Sequence, residues 1–169
     1  HEYQAREILT RFGVPVPRGT VATSAEQAVA GAKELGGTAW VVKAQVHAGG
    51  RGKGGGVKIC RSLEEVESAS SRMLQTRLVT PQTGPEGCVV RKVLVTEACE
   101  IKHEFYAGIV LDRTLARPVL MVSAEGGVEV HTEAFVQYGH IGQVDDRFCF
   151  SPEFCEQMGV TQFVKDDLT

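Results

Sequence analysis

Glycine and cationic residues are concentrated in one short stretch of the chain. Six of the eight residues at positions 49–56 are glycine, and the other two are Arg51 and Lys53. Backbone N–H groups that lack neighbouring Cβ atoms can approach an anion closely, and Lys43 and Lys58 add positive charge before and after the stretch. This composition predicts a loop that binds a polyphosphate.

Two apolar runs flank this glycine loop and indicate the elements that position it. Trp40, Val41 and Val42 precede the loop, and Val57 and Ile59 follow it. Short runs rich in β-branched and aromatic residues are typical of strands. The pattern therefore predicts a strand, the loop and a second strand, so that the loop forms the tip of a hairpin.

Two other glycine-rich phosphate motifs do not fit this stretch. Gly50, Gly52 and Gly55 have the spacing of the dinucleotide fingerprint, but that motif opens a helix and this one continues as a strand. A Walker loop needs Ser or Thr after its Gly-Lys pair, whereas Lys53 is followed by Gly54. A hairpin flap laid over phosphates is the remaining hypothesis, and a mobile surface hairpin that binds nothing is its alternative.

Helices are expected on both sides of the predicted hairpin. Ser24 and Ser62 each begin a capping box, completed by Gln27 and Glu65 three residues later. The apolar faces of these two helices are predicted to comprise Ala25, Ala28, Val29, Ala32 and Leu35, and Leu63, Val66, Ala69 and Met73. A short amphipathic helix, ended by Gly13, is indicated at the start of the chain by Tyr3, Ile8, Leu9 and Phe12.

The remaining strands divide the chain into two expected lobes. Strands are predicted at residues 21–23, 78–80 and 89–95, and the runs at 104–111 and 118–124 predict a hairpin. A change of sequence pattern near Thr96 places a lobe boundary there. We expect a first α+β lobe of residues 19–95 and a second lobe of residues 1–18 and 96–169. Ser151 followed by Pro152 predicts a further helix.

Composition narrows the classes of partner. The chain has 169 residues, of which 43% are hydrophobic, with a net charge of −3 and a pI near 6.0. Because the cations cluster in one loop, a general nucleic-acid surface is not expected, and no apolar run reaches the ~20 residues of a membrane span. The five cysteines include no C-x-x-C pair, which indicates reduced thiols and no structural metal site.

Four separated runs resemble one known family. The run KAQVHAGGRGK at residues 43–53 resembles the phosphate loop of the ATP-grasp domain in β subunits of the succinate–CoA ligase family, which includes malate–CoA ligase. The runs HEYQA at 1–5, LVTPQT at 78–83 and SAEGGV at 123–128 match the same family in the same order. The resemblance implies an α+β fold of ATP-grasp type, with two α+β lobes, a nucleotide cleft between them and an incomplete second lobe.

The resemblance also implies the nucleotide-binding residues. Lys43 and the loop contact the phosphates, the backbone of residues 96–99 contacts the base, and Glu104 contacts the ribose. Many relatives have Glu where Thr96 stands, so Glu97 is the substitute if that contact needs a carboxylate; a solvated acidic face is the alternative. Pro17 favours ATP over GTP. The predicted site comprises Lys43, Gly50, Arg51, Gly52, Thr96, Glu97, Cys99 and Glu104, with no catalytic and no metal-binding residue.

The implied reaction is that of an ADP-forming acid–CoA ligase of the tricarboxylic acid cycle. In it, ATP, succinate and CoA give ADP, phosphate and succinyl-CoA through a phosphohistidine on a partner α subunit. In the resembled family, Mg²⁺ is held by an Asp or Glu and a neighbouring Asn in a segment resembling Glu-Ile-Asn-Pro, which is followed later by an Asp-Gly-Lys or Asp-Ala-Lys segment. This chain has neither segment and contains no asparagine. The Mg²⁺ ligands are therefore expected to be absent from it.

We therefore expect the N-terminal part of an ATP-grasp domain, shortened before its metal ligands and inactive on its own. Its expected location is a bacterial cytoplasm or a mitochondrial matrix. A malate–CoA ligase β subunit and a non-catalytic nucleotide-binding or interaction module remain as alternatives. The HAGGRGK run argues against a carboxylate–amine ligase of the same fold.

Overall fold

The structure, a computed structural model, describes residues 1–102, 104–113, 116–123, 137–140, 142–144 and 147–149. The chain divides into two compact units, His1–Glu100 and Ile101–Thr169. The two lobes expected from the sequence, 19–95 against 1–18 with 96–169, stay a prediction. Within the described ranges no helix is long and apolar enough to cross a membrane.

The first unit combines helices with an antiparallel sheet. Its elements are α1 (Glu2–Arg11), β1 (Gly19–Ala22), α2 (Ala25–Leu35), β2 (Trp40–Ala44), β3 (Val57–Cys60), α3 (Leu63–Met73), β4 (Arg77–Leu78), β5 (Cys88–Val89) and β6 (Val93–Glu97). Four strands form one sheet in the order β1-β6-β2-β3, and β4 and β5 form a separate pair. This mixture of helices and antiparallel strands confirms the α+β class.

Side-chain caps fix where α2 and α3 begin. The Ser24 hydroxyl accepts a hydrogen bond from the amide of Gln27, and the Ser62 hydroxyl accepts one from the amide of Glu65, both at 3.2 Å. Each such cap stabilises a helix by about 1 kcal/mol. The predicted N-termini are therefore confirmed, and both helices end close to their expected residues.

One face of the sheet packs against α2 and α3. Along β2, burial alternates, with Trp40, Val42 and Ala44 buried and Val41 and Lys43 half-buried. Successive side chains of a strand point to opposite faces, so the second set lies on the face away from the helices. The main apolar residues between sheet and helices are Ala22, Ala28, Ala32, Trp40, Val42, Ala44, Val66, Ala69, Val93 and Val95.

Helix α1 differs from the other two helices in its burial. It ends at Arg11, two residues before the predicted end at Gly13, none of its residues is buried, and Phe12 just beyond it is 81% exposed. Its first turn makes polar contacts with the end of β2 and the glycine loop, through Glu2 and Tyr3. The helix is therefore tied to the sheet by its N-terminal residues.

Two predicted strands are wrong in their extent. The expected strand at 89–95 is interrupted, because Val90 exchanges hydrogen bonds with Gln75 and Thr76 while Lys92 accepts one from Gln45. The chain thus leaves the β4–β5 pair before it enters the main sheet. The expected strand at 78–80 ends at Leu78, since the amide of Thr80 donates to the Thr83 hydroxyl at 2.8 Å and forms a turn.

The second unit contains strands among its described residues. They are β7 (Tyr106–Asp112), β8 (Arg117–Ser123), β9 (Gln137–His140), β10 (Gly142–Val144) and β11 (Arg147–Cys149). The first two pair from Tyr106 with Ser123 to Asp112 with Arg117, which confirms the predicted hairpin. The helix expected after Ser151 lies outside the described residues, as does most of the SAEGGV run.

Candidate functional site

The glycine loop connects two antiparallel neighbours of the main sheet. Strands β2 and β3 pair from Trp40 with Cys60 to Lys43 with Val57. The chain returns directly as a strand, which confirms the predicted hairpin and excludes the helix that a dinucleotide fingerprint requires. Lys43, near the end of β2, therefore lies at the base of the loop.

The second half of the loop packs against the chain beside it. The amides of Gly54, Gly55 and Gly56 donate to carbonyl oxygens within the loop at 3.3, 3.1 and 2.7 Å. A Cβ atom at Gly54 would collide with the carbonyl oxygen of Val79. A larger residue at this position would push the loop away from its neighbour.

The first half of the loop, in contrast, contains backbone amides that donate no hydrogen bond within the described residues. The amide of Gly49 donates to the Gln82 side chain at 2.6 Å, and Gly50 has a φ of 71°, a conformation that favours glycine. The amides of Gly50, Arg51 and Gly52 donate no hydrogen bond within the described part of the chain. Three successive N–H groups are therefore left for an added acceptor, on the buried Gly50, the half-buried Arg51 and the exposed Gly52.

Two of the predicted cations meet at one carboxylate. One carboxylate oxygen of Glu2 accepts a hydrogen bond from Lys43 Nζ at 3.0 Å, and the other accepts one from Arg51 Nη2 at 2.7 Å. Arg51 Nη1 also donates to the carbonyl oxygen of Ala44 at 2.7 Å. The three charged side chains are between 22% and 27% exposed, so the cluster is largely shielded from solvent.

Glu2 is ionised in this setting. Burial raises the pKa of its carboxyl group, but the hydrogen bonds and charges of Arg51 and Lys43 outweigh burial and hold the pKa below its ordinary value of 4.5. Sequence reasoning missed Glu2. The HEYQA run, which resembles the family, is the sequence signal that includes Glu2.

Further contacts dock the first turn of α1 beside the loop. The amide of Tyr3 donates to Gln45 Oε1 at 3.3 Å, and Lys92 Nζ lies 3.4 Å from the Tyr3 hydroxyl. The rings of His1 and His47 stack with centroids 3.9 Å apart. His47 thus packs against the residue that precedes α1.

The predicted base-binding segment continues along the neighbouring strand. Thr96 is buried and pairs with Val41, which places its side chain on the same sheet face as Lys43. Its Cα lies two strand positions from the register partner of Lys43, about 7 Å along β6. This residue and the loop therefore share one side of the sheet.

Glu97 and Cys99 do not lie on the sheet face that carries Thr96 and Lys43. Glu97 pairs with Trp40, on the helix side of the sheet, and its carboxylate accepts hydrogen bonds from the amide and Nε of Arg18 at 2.8 and 3.0 Å. The hydrogen bond from the Arg18 amide contributes most to lowering the pKa of the Glu97 carboxyl group, and the bond from the Arg18 side chain lowers it further. Cys99 is exposed beyond the strand end. Glu104 is also exposed and lies in the unit Ile101–Thr169.

A cavity lies on the other face of the sheet. Its volume is about 330 Å³, and its lining includes Ala44, Gly54, Lys58, Arg72 and Arg77. Lys58 pairs with Val42, so it points away from the face that carries Lys43. The sequence suggested that Lys58 adds charge to the loop, but the structure assigns it to this cavity.

Comparison with known proteins places this geometry in a family. The ATP-grasp domain family matches residues 1–158. The chain is 58% identical over 134 residues to the β subunit of an ADP-forming succinate–CoA ligase from Nautilia profundicola, covering 79% of this chain and 34% of that protein. The same subunit from Bacillus subtilis is 54% identical over 134 residues, covering 79% and 35%. The chain thus spans about a third of the length of these curated relatives.

Solved structures agree with these sequence matches. A dinucleotide-forming acetyl-coenzyme A synthetase of Ca. Korarchaeum cryptofilum, in complex with coenzyme A and Ca-AMPCP, superposes with a TM-score of 0.62 at 25% identity, covering 84% of this chain and 60% of that one. An ATP citrate lyase from Methanothrix soehngenii shares the fold with a TM-score of 0.56 at 21% identity, covering 75% and 29%. The resemblance seen in the four sequence runs is confirmed, and the chain belongs to the ATP-grasp domain family.

Proposed function

We propose that this chain is the nucleotide-binding part of the β subunit of an ADP-forming succinate–CoA ligase, and that its glycine loop binds the phosphates of ATP. The observation that carries the proposal is that Lys43, at the base of the loop, and Arg51, within it, meet at one carboxylate beside three successive amides without an acceptor among the described residues. Relatives at 54% and 58% identity carry the ligase name, which supports the choice of reaction.

Each proposed residue has its own role. Lys43 offers a charge from a strand, and the amides of Gly50, Arg51 and Gly52 offer donors that need no rearrangement. The backbone of residues 96–99 contacts the base, beside the buried Thr96. The Glu97 carboxylate is already bonded to Arg18, and the amides of Glu97 and Ala98 donate to the carbonyl oxygens of Arg18 and Ala39. The base contact is therefore proposed for other main-chain groups of this segment.

Two residues complete the proposed nucleotide site. Cys99 is exposed at the end of the proposed base-binding segment. Glu104 is exposed as well, and its carboxylate is proposed to accept hydrogen bonds from the ribose hydroxyls. Both assignments come from the family to which the chain belongs.

The chemistry that this part supplies is electrostatic. Transfer of a phosphoryl group spreads negative charge over its oxygens, and fixed donors and cations stabilise that charge. In the complete enzyme, a histidine of the partner α subunit carries the phosphoryl group between nucleotide and acid, and CoA takes over the acyl group. A dicarboxylic acid, CoA and the α subunit are therefore the proposed partners, in a bacterial cytoplasm or mitochondrial matrix.

The described residues do not fit a Mg²⁺ site. They include no group of three His, Cys, Asp or Glu side chains that could hold a metal ion. The carboxylate at the loop, that of Glu2, has one oxygen on Lys43 and the other on Arg51. A hard cation needs several oxygen ligands of its own, so no role of the ion is assigned to these residues.

Calorimetric titration of the chain with ATP tests the proposal. Lys43→Met should weaken binding by at least about tenfold, because the variant loses the strand-borne charge beside the amides. Lys58→Met is the matched control, since it removes the same charge from the other face of the same hairpin and should bind as the wild type does. Equal affinity in the Lys43 variant would remove Lys43 from the site.

A second experiment tests the assignment of catalysis to the complete enzyme. The chain is incubated with ATP, Mg²⁺, CoA and either succinate or malate, and acyl-CoA and ADP are measured. We expect no turnover, because the described residues offer no site for the added Mg²⁺ and the proposed histidine acceptor belongs to the α subunit. Turnover by this chain that persists in Lys43→Met would contradict both the family mechanism and the proposed division of labour.

A further inference from the structure

Glu2 joins three separate elements of the first unit. It stands in the first turn of α1, and its two carboxylate oxygens bond Lys43 of β2 and Arg51 of the glycine loop. Each oxygen serves a different cation, and both bonds are charge-assisted, the stronger class of hydrogen bond. A single side chain therefore links the first turn of α1 to both the strand and the loop.

The guanidinium of Arg51 is directed into the protein. Its Nη1 atom donates to the carbonyl oxygen of Ala44, where β2 ends, and its Nη2 atom donates to Glu2. The side chain thereby fastens its own loop to the strand. Its backbone N–H, by contrast, has no acceptor among the described residues. Arg51 can thus present its amide to a ligand while its side chain holds the loop.

Such a fastening matters because the loop is mostly glycine. Glycine loses more backbone freedom on ordering than any other residue, and a loop that is ordered only by its ligand lowers the affinity for that ligand. Contacts that order the loop beforehand remove this cost from binding. Glu2 provides two such contacts, at 3.0 and 2.7 Å, without any ligand present.

We propose that Glu2 is a positioning residue of the phosphate loop, which holds Lys43 and Arg51 so that the amides of residues 50–52 face one bound polyphosphate. Glu2 itself does not contact the nucleotide. This inference rests on the proposed function for the identity of the ligand. It extends the site to the HEYQA run, at the N-terminal end of α1.

The alternative role for Glu2 is that of a competing anion, which a phosphate must displace. The anchoring of the first turn argues against it. Tyr3 bonds Gln45 through its amide, and His1 stacks on His47, so displacement of Glu2 would disturb several contacts at once. The two roles predict opposite signs: loss of the Glu2 charge weakens ATP binding if Glu2 positions, and strengthens it if Glu2 competes.

The test compares Glu2→Gln with Glu7→Gln. Both variants remove one negative charge from α1, and Glu7 has no bonded partner within the described residues, so it is the matched control. Amide hydrogen exchange is measured first, without nucleotide, at Gly54–Gly56, whose amides bond the carbonyl oxygens of residues 50–52. ATP affinity is then measured by calorimetry.

We expect Glu2→Gln to speed exchange at these three amides about tenfold and to weaken ATP binding about tenfold, because loop order is lost. Glu7→Gln should change neither, and exchange in α2 and α3 should match the wild type in both variants. Faster exchange throughout the Glu2 variant would mean general destabilisation, and would overturn a specific role at the loop.

Other outcomes separate this inference from the proposed function. Unchanged or tighter ATP binding in Glu2→Gln, with the wild type binding normally, would overturn the positioning role. A wild-type chain that binds no ATP would instead overturn the proposed function. The exchange measurement would then still test whether Glu2 orders the loop. Faster exchange at Gly54–Gly56 in Glu2→Gln would support that role, and unchanged exchange would overturn it.

Discussion

Residues 49–52 and residues 54–56 of the glycine loop have similar compositions but are held by different means. The first segment is fixed by side chains from outside it. The Gln82 side chain accepts a hydrogen bond from the Gly49 amide, and the Glu2 carboxylate accepts one from the Arg51 side chain. The second segment is fixed by backbone hydrogen bonds to the carbonyl oxygens of residues 50–52 and by contact with residues 78–80. Only the first segment leaves backbone donors without acceptors.

This difference separates two uses of the same residue type. In the second segment glycine allows a close approach between two pieces of protein, whereas in the first it allows a close approach between protein and anion. Substitutions in the second segment should therefore act on stability, and those in the first on binding. The predictions below test this separation.

The largest effect is expected at Gly54. A Cβ atom there meets the carbonyl oxygen of Val79, a backbone atom that cannot rotate away. Gly54→Ala should therefore lower the free energy of unfolding by about 2 kcal/mol, as measured by urea denaturation. Gly52→Ala is the control, because no atom lies within 4 Å of a Cβ at that position. Equal stabilities of the two variants would show that close packing of the second segment against residues 78–80 does not stabilise the fold.

Gly52→Ala should act on the ligand instead. The methyl group would stand among the three amides that have no acceptor, and would keep phosphate oxygens from close approach. ATP affinity should fall about tenfold, or about 1.4 kcal/mol, while the unfolding free energy stays as in the wild type. Wild-type affinity of this variant in calorimetry would contradict the assignment of the first segment to phosphate.

Local signals in the sequence predicted much of the first unit. The capping serines and the apolar spacing specified α2 and α3, and the apolar runs around the glycine loop specified the β2–β3 hairpin. These features depend on neighbours within a few residues, such as the bond from the Gln27 amide to the Ser24 hydroxyl. Local patterns of this kind are visible in a single sequence.

Contacts between distant residues were not predicted. Glu2 bonds Lys43 and Arg51, which lie 41 and 49 positions further along the chain. No local pattern links an acidic residue in the first turn of a helix to a loop so far away. Val90 likewise leaves the main sheet for partners at Gln75 and Thr76, although its own segment has the composition of one continuous strand. Tertiary pairing decided both cases.

The charge that holds the first segment should make it sensitive to acid. The folded-state pKa of Glu2 is lowered below its ordinary value of 4.5, so its contribution to stability is present above that pH and is lost as the pH falls through the lower folded value. With side chains about a quarter exposed, we expect about 1 kcal/mol between wild type and Glu2→Gln at pH 7.

Urea denaturation at a series of pH values from neutral to acid measures this difference. The two unfolding free energies should converge below pH 4.5, where the wild-type carboxylate becomes protonated, because the variant has no group to titrate at this position. Glu7→Gln should follow the wild type throughout. A gap between wild type and Glu2→Gln that is independent of pH would mean that charge does not hold the first segment.

The smallest effect is expected at Gln82, whose Oε1 atom accepts the amide of Gly49 at 2.6 Å. Both partners are neutral and the bond lies at the surface, so Gln82→Ala should cost about 0.5 kcal/mol in unfolding free energy. Amide exchange is the sharper measurement, since the loss should appear at Gly49 while the amides of residues 54–56 keep their protection. Gln82→Glu retains an acceptor and should restore the slow exchange of Gly49. If Gln82→Ala also speeded exchange at residues 54–56, Gln82 would hold the whole loop, as Glu2 is proposed to do, and not Gly49 alone.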